Sequence, residues 1–148
     1  MKRWLIAAVT LILDQLTKAW VIHSVEPADS IPLLPPILHL TYVQNTGAAF
    51  GLFKGSGMLL IVLSIGVAAW ITGVFLRGGP SHRLSQWGCA LILGGAVGNL
   101  IDRLRFGYVV DFFDLRVWPV FNVADSAITI GAALIVWLSV RRHPGGTA

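Results

Sequence analysis

The stretch Phe121–Val140, FNVADSAITIGAALIVWLSV, decides how this chain must be housed. Twenty residues rising 1.5 Å each cover about 30 Å, the thickness of a bilayer's hydrocarbon core. Asp125 is the single ionisable residue in that run. On a helix beginning near Asn122 it lies about 4.5 Å along the axis, just inside the apolar layer. A carboxylate at that depth costs at least about 2.5–3.5 kcal/mol on insertion scales, so it needs a partner or a task.

Three further apolar runs lie upstream, at about Trp4–Ile22, Met58–Leu76 and Leu84–Ile101. Of the 148 residues 55% are apolar and 12% charged, with a mean hydropathy of +0.75. A soluble domain is nearer a quarter charged, so a single integral-membrane domain over residues 1–148 is expected. The first run follows Met1-Lys2-Arg3 as a secretory signal would. It continues past Asp14 and Lys18 with no small-x-small site before His23, which reads as an uncleaved anchor helix.

Four spans put both termini on one side. Lys2, Arg3, Arg77, Arg83, Arg141 and Arg142 fall there, against Lys54, Arg103, Arg105 and Arg116 opposite. The positive-inside rule makes the first side cytoplasmic. None of the seven acids lies in the cytoplasmic segments, so polar chemistry gathers at the extracytoplasmic face.

That face also carries a long connection, 35 residues from His23 to Gly57, where about 2–8 suffice to join helices. Leu38–Val43 alternates with period two and runs into Asn45-Thr46-Gly47, a strand entering a turn. Pro32, Pro35 and Pro36 exclude a helix before it. A β-rich element over about residues 26–53 is expected on the outer surface, with Phe50, Leu52 and Phe53 dipping into lipid or covering a groove. The tail, residues 143–148, reads as disordered.

Several function classes drop out. The net charge is +4 and the pI about 9.8, yet no basic run interleaved with aromatics marks a nucleic-acid surface. The one cysteine, Cys89, excludes an intrachain disulfide or a multi-Cys metal site and reads as a packing residue. His23, His39, His82 and His143 form no His-x-x-x-His pair, and no phosphate loop is present. No metal or cofactor is expected.

Five polar clusters remain. Asp14 and Lys18 share one helix face four residues apart, either as a structural ion pair or facing a substrate. Asn45-Thr46-Gly47-Ala48-Ala49-Phe50-Gly51 is turn chemistry, or a backbone that a ligand can approach closely. Gly94 and Gly98 have small-xxx-small spacing for helix packing. Asn99, Asp102 and Arg103 stack over one face at a helix end, as a charged network or as a grip on peptide backbone. Asp111 sits in Val109-Val110-Asp111-Phe112-Phe113, and Asp125 in Phe121-Asn122-Val123-Ala124-Asp125. Asp111 can be a loop acid and Asp125 a helix N-terminal charge.

Together the two acids fit hydrolysis. Two carboxylates about 4 Å apart repel by about 4 kcal/mol at an effective dielectric near 20, or about 3 pKa units, so one keeps its proton. The ionised partner activates water and the protonated one supports the developing oxyanion. Which starts as base stays open, because a coupled pair titrates as one system. A serine-lysine hydrolase is disfavoured by Asp14 one turn from Lys18, which keeps the lysine charged.

These motifs resemble the lipoprotein signal peptidase (signal peptidase II) family. The likeness rests on Asp14-Gln15-Leu16-Thr17-Lys18, Asn45 to Gly51, Gly94 to Arg103, Val110-Asp111-Phe112 and Phe121 to Asp125, in the family's order. It implies an α-helical membrane protein of four transmembrane helices with an outer β-cradle and a short outer helical segment, here within Arg105 to Val117. It further implies a bacterial cytoplasmic-membrane aspartyl peptidase that cuts prolipoproteins N-terminal to a diacylglyceryl-modified cysteine. Asp111 and Asp125 would be the dyad. Asn99, Arg103 and Asn122 would bind substrate or orient the dyad, with Asp14 and Asn45 in support. The family needs no metal, and its inhibitor globomycin would lodge between the aspartates. The expected partners are the lipidated precursor and membrane lipid, with the enzyme itself a monomer.

Two rival readings remain on the residues alone. A proton-coupled transporter would carry its acids near mid-membrane rather than two at one face. A scaffold would assemble through the Gly94 and Gly98 face.

Overall fold

The computed structural model describes residues 1–47 and 57–141. Four helices, α1 (Lys2–Ser24), α2 (Gly57–Leu76), α3 (Arg83–Phe106) and α4 (Val123–Arg141), are each long and apolar enough to cross a membrane. Three strands, β1 (Ser30–Leu34), β2 (Leu38–Asn45) and β3 (Val109–Asp114), form an antiparallel sheet in the order β1-β2-β3. The expected spans and cradle are therefore present. The expectations for Phe50, Leu52, Phe53 and residues 143–148 lie outside the described residues.

On α1 the buried residues Ala7, Thr10, Asp14, Lys18 and Val21 recur every three or four positions and form one stripe. Leu5, Val9, Ile12, Leu13, Leu16 and Trp20 face outward, the arrangement expected of a helix whose solvent is lipid. The hub is α3, which packs on all three other helices. Half of its 18-residue apolar window is buried, against 11% for α2.

Small residues allow this close approach. A Cβ added at Gly94 would lie 2.6 Å from the Ala7 carbonyl oxygen, and one at Gly98 would strike the Asp14 carboxylate. The expected packing face thus meets α1. A second set, not anticipated, meets α4: a Cβ at Gly95 would lie 2.5 Å from the Ala124 oxygen, and Gly88 and Gly131 abut each other's carbonyls. Gly95→Ala is accordingly expected to lose about 1–3 kcal/mol by overpacking against backbone. Thermal unfolding in detergent checks this; an unchanged midpoint would show that α4 yields freely at that contact.

Two apolar clusters hold the two ends. Ala7, Ile71, Phe75, Cys89, Ala90 and Leu93 pack the helical end. Val21, Val25, Leu40, Tyr42, Val110 and Phe112 fix the sheet against the end of α1. Arg3 closes the first end, donating to the carbonyls of Phe75 (2.9 Å) and Gly78. The α1 N-terminus and the α2–α3 connection therefore share one side, and the sheet lies at the other.

The short outer helical segment expected within Arg105 to Val117 is not there. Arg105 and Phe106 complete the last turn of α3, and Val109–Asp114 is strand. Among the described residues the four long helices are the only ones. Gly107 makes the change possible: its φ of 79° ends α3 in the left-handed region, with its N–H on the Arg103 carbonyl at 3.0 Å. The chain then pairs Val109 with Asn45 and Asp111 with Val43. Alternation sends Val110 and Phe112 into the apolar cluster and Asp111 to the other face. In this segment period two prevails.

Candidate active site

Asp111 reaches the site from β3 and is buried. One of its oxygens accepts from Asn122 Nδ2 at 2.6 Å and the other from Asn45 Nδ2 at 2.8 Å. Asn45 is aimed by its own turn, its Oδ1 taking the Gly47 N–H at 3.0 Å. The turn and the ligand-facing readings of that motif therefore coexist.

Asp125 arrives from the first turn of α4. Asn122 caps the helix: its Oδ1 accepts the Asp125 N–H at 2.9 Å, and Asp125 Oδ2 takes the Asn122 N–H at 3.4 Å. This reciprocal pattern is a capping box. Asp125 is thus both the helix N-terminal charge and a site residue. Its other oxygen accepts from Asn99 Nδ2 at 2.8 Å. Asn122 Nδ2 also reaches Asn99 Oδ1 at 3.2 Å and the Val110 carbonyl at 3.3 Å. Two asparagines thereby tie β3, α3 and α4 together around the acids.

Asn99, Asp102 and Arg103 do not act on one face. Asp102 turns away from Arg103 toward α1 and β3, where it meets Lys18 at 2.9 Å, Gln15 at 3.0 Å and the Val110 N–H at 3.1 Å. The helix runs one turn further than its apolar pattern, so the three side chains diverge inside the bundle instead of stacking at its end. Lys18 spends its three protons on Asp14 Oδ2 (2.9 Å), Asp102 Oδ2 and Asn99 Oδ1 (2.8 Å).

Asp111, Asp125, Asn45, Asn99 and Arg103 line one cavity of about 290 Å³. Trp118 and Phe121 wall it on the side of the β3–α4 connection. Arg103 donates to the Asn99 carbonyl at 3.5 Å and makes no ion pair within 4 Å among the described residues. Two more apolar cavities end at Asp125. One, of about 290 Å³, runs between α2 and the α3–α4 pair past Leu63, Val67 and Ile128; the other, of about 420 Å³, follows α4 past Leu115, Trp118 and Ile130. Asp14 lies off all three, its Oδ1 holding the Ala124 N–H at 2.9 Å.

Electrostatically the pair is uneven. Burial and then the negative charge of Asp125 push the Asp111 carboxyl up to about 7, against the hydrogen bonds from Asn45 and Asn122 and the charge of Lys18. No cluster of three or more metal-ligating side chains occurs among the described residues.

The family model for signal peptidase (SPase) II matches residues 6–141. The chain belongs to the signal peptidase II family. A lipoprotein signal peptidase of Halothermothrix orenii is 46% identical over 135 residues, 90% of this chain and 91% of that one. One of Trichormus variabilis is 47% identical over 143 residues, 95% of this chain and 90% of its own. A bacterial membrane enzyme solved by the in meso method at 2.3 Å resolution superposes with a TM-score of 0.91 at 31% identity, over 99% of this chain and 92% of that one. A signal peptidase II is a peptidase, and with four spanning helices this one is a multi-pass membrane protein.

Of the residues singled out from sequence, Asp111, Asp125 and four others meet at one place, and Asp14 does not. Asn45, Asn99 and Asn122 contact the acids and Arg103 shares their cavity. Sequence reasoning missed Gln15, Trp118 and the joining of Lys18 to Asp102. Gln15 sits in a quoted motif, so its polarity on a lipid-facing helix was a usable signal; the reach of Lys18 to α3 has no local signature.

Proposed function

We propose that this chain removes the signal peptide from diacylglyceryl-modified prolipoproteins, cutting N-terminal to the lipidated cysteine with water activated by Asp111 and Asp125. The observation that carries this reading is the placing of both carboxylates on one cavity, with Asp111 raised to about 7 in part by the charge of Asp125. The shared proton rests on Asp111, so Asp125 removes a proton from water as the oxygen bonds to the scissile carbonyl carbon. Protonated Asp111 hydrogen-bonds the oxyanion. As the oxyanion collapses to the carbonyl and the C–N bond breaks, Asp125 gives its proton to the leaving amine while Asp111 keeps its own.

A signal peptide enters with its backbone satisfied as a helix, and it must unwind where polar partners await it. Asn99, Asn122 and Arg103 supply them. The apolar cavities that meet at Asp125 suit the signal-peptide helix and the acyl chains. Each buried methylene contributes about 0.8 kcal/mol, so lipid holds the cysteine at a fixed depth and thereby selects the bond. On this reading both termini lie in the cytoplasm and the dyad at the outer face, as the positive-inside rule suggests. Globomycin would occupy the space between the acids, and a monomer suffices.

The test is incubation of the purified protein with lipidated and unlipidated forms of one precursor, the products read by mass spectrometry. Cleavage of the lipidated form alone, directly before the cysteine, is expected. Equal cleavage of both forms would remove lipid depth from the mechanism. Because the proton on Asp111 is needed and is lost as pH rises through about 7, kcat/KM is expected to fall about tenfold per unit above that value. A flat profile to pH 9 would contradict this.

A further inference from the structure

The two acids share one unexpected feature of backbone. The residue immediately before Asp111, Val110, donates its N–H to Asp102 at 3.1 Å, and the residue immediately before Asp125, Ala124, donates its N–H to Asp14 at 2.9 Å. Lys18 joins those two carboxylates at 2.9 Å each. All three side chains are buried. The third proton of Lys18 goes to Asn99, which holds Asp125, and the Val110 carbonyl is taken by Asn122, which holds Asp111. The strand and the helix that carry the acids are thus set against each other by a single ion triad that never enters the catalytic cavity.

We propose that Asp102 is a positioning residue, which with Lys18 and Asp14 fixes the separation of Asp111 and Asp125 through the peptide groups that precede them. This rests on the dyad reading above. Lys18 is the rigid middle of the brace, because an ammonium with three acceptors in three directions has no free rotation left. Asp102 is its arm to β3. Without that arm the Val110 N–H loses its acceptor, and β3 is left with its ladder to β2, its backbone bonds to Phe121 and the Asn122 contact, none of which ties it to α1 or α3 at that peptide. A misplacement of about 1 Å between reacting groups costs about 10²-fold in rate. Substrate binding draws mainly on the apolar cavities and Arg103, neither of which touches the Asp102–Val110 bond.

The experiment compares wild type, Asp102→Ala, Asp102→Asn and Asp125→Asn on the lipidated precursor, with rates normalised to the folded fraction. For Asp102→Ala we expect kcat about 10²-fold lower with KM within about threefold. Asp102→Asn keeps an oxygen for the Val110 N–H and should recover kcat to within about tenfold of wild type. The charged groups facing Asp111 are Asp125 from α4, Lys18 from α1 and Arg103 from α3, beside its amide partners Asn45 and Asn122. Relaxation away from Asp125 favours the ionised form of Asp111, so the alkaline limb of kcat/KM should move to lower pH in Asp102→Ala and stay near its wild-type place in Asp102→Asn. A merely structural Asp102 would reduce the amount of folded protein and leave that limb and kcat in place, which overturns the proposal. A loss carried by KM also overturns it. If Asp102→Ala does not fold, Asp102→Asn decides: a kcat lowered by up to about tenfold at unchanged KM supports the brace, and a kcat equal to that of wild type or a loss carried by KM overturns it. Turnover by Asp125→Asn would instead overturn the dyad reading itself.

Discussion

Asp125→Asn is expected to lower turnover of a lipidated precursor by about 10²–10⁴-fold, the usual contribution of a positioned general acid or base. The substitution keeps the side-chain volume and one oxygen, which can still accept from Asn99 or from the Asn122 N–H at the start of α4. Folding and insertion should therefore survive. Asp111→Asn should be as inactive. Both Asp111 oxygens accept from amide donors, so an amide nitrogen there faces a donor and breaks one of those bonds as well as removing the acid. Cleavage assays with both variants, alongside thermal unfolding in detergent, measure this. Either variant turning over within tenfold of wild type would exclude that carboxylate from the chemistry.

The second large effect is on stability. Lys18→Met should destabilise the fold by about 3–5 kcal/mol, because removing one partner of a buried ionic group leaves uncompensated charge. Here the single ammonium stands between two carboxylates, Asp14 and Asp102, all of them buried. The methionine fills most of the space but accepts the repulsion of two acids at the start of α4 and beside β3. Replacing all three, as Asp14→Leu, Lys18→Met and Asp102→Leu together, should recover part of the loss, since a neutral apolar core has no ion to desolvate. Equilibrium unfolding of wild type, Lys18→Met and the triple variant checks the pattern. A single Lys18→Met variant as stable as wild type would mean that the acids are neutralised some other way.

The limits of the sequence reading follow from what each signal depends on. Hydropathy found the four helices to within a few residues, because a membrane span needs only length and apolarity. The caps moved the ends: Gly107 carried α3 to Phe106, past the expected end at Ile101, and Asn122 set the start of α4. The strand β2 was legible from alternation and Pro32, Pro35 and Pro36. Its partner β3 fell where the resemblance implied a short outer helix, and its identity as a strand was hidden because it depends on pairing with Val43 and Asn45, far away in sequence. The same distance hid the ion triad. Asp14 and Lys18 at i and i+4 were visible, whereas Asp102 was grouped with Arg103 beside it and only the packing of α1 on α3 sends the two apart. Of the glycines, Gly94 and Gly98 carried a spacing motif, and Gly88 and Gly131 did not, being complementary across two helices.

The central claim is that Asp111 and Asp125 behave as one acid–base unit. Infrared difference titration of the detergent-solubilised protein observes the protonated carboxyl directly. The wild type should show a carboxylic acid band that titrates near pH 7 and is missing in Asp111→Asn. In Asp125→Asn the midpoint of that band should fall, because the neighbouring negative charge is gone and burial alone remains to hold the proton. A midpoint that stays in place in Asp125→Asn would show that the two acids do not sense each other.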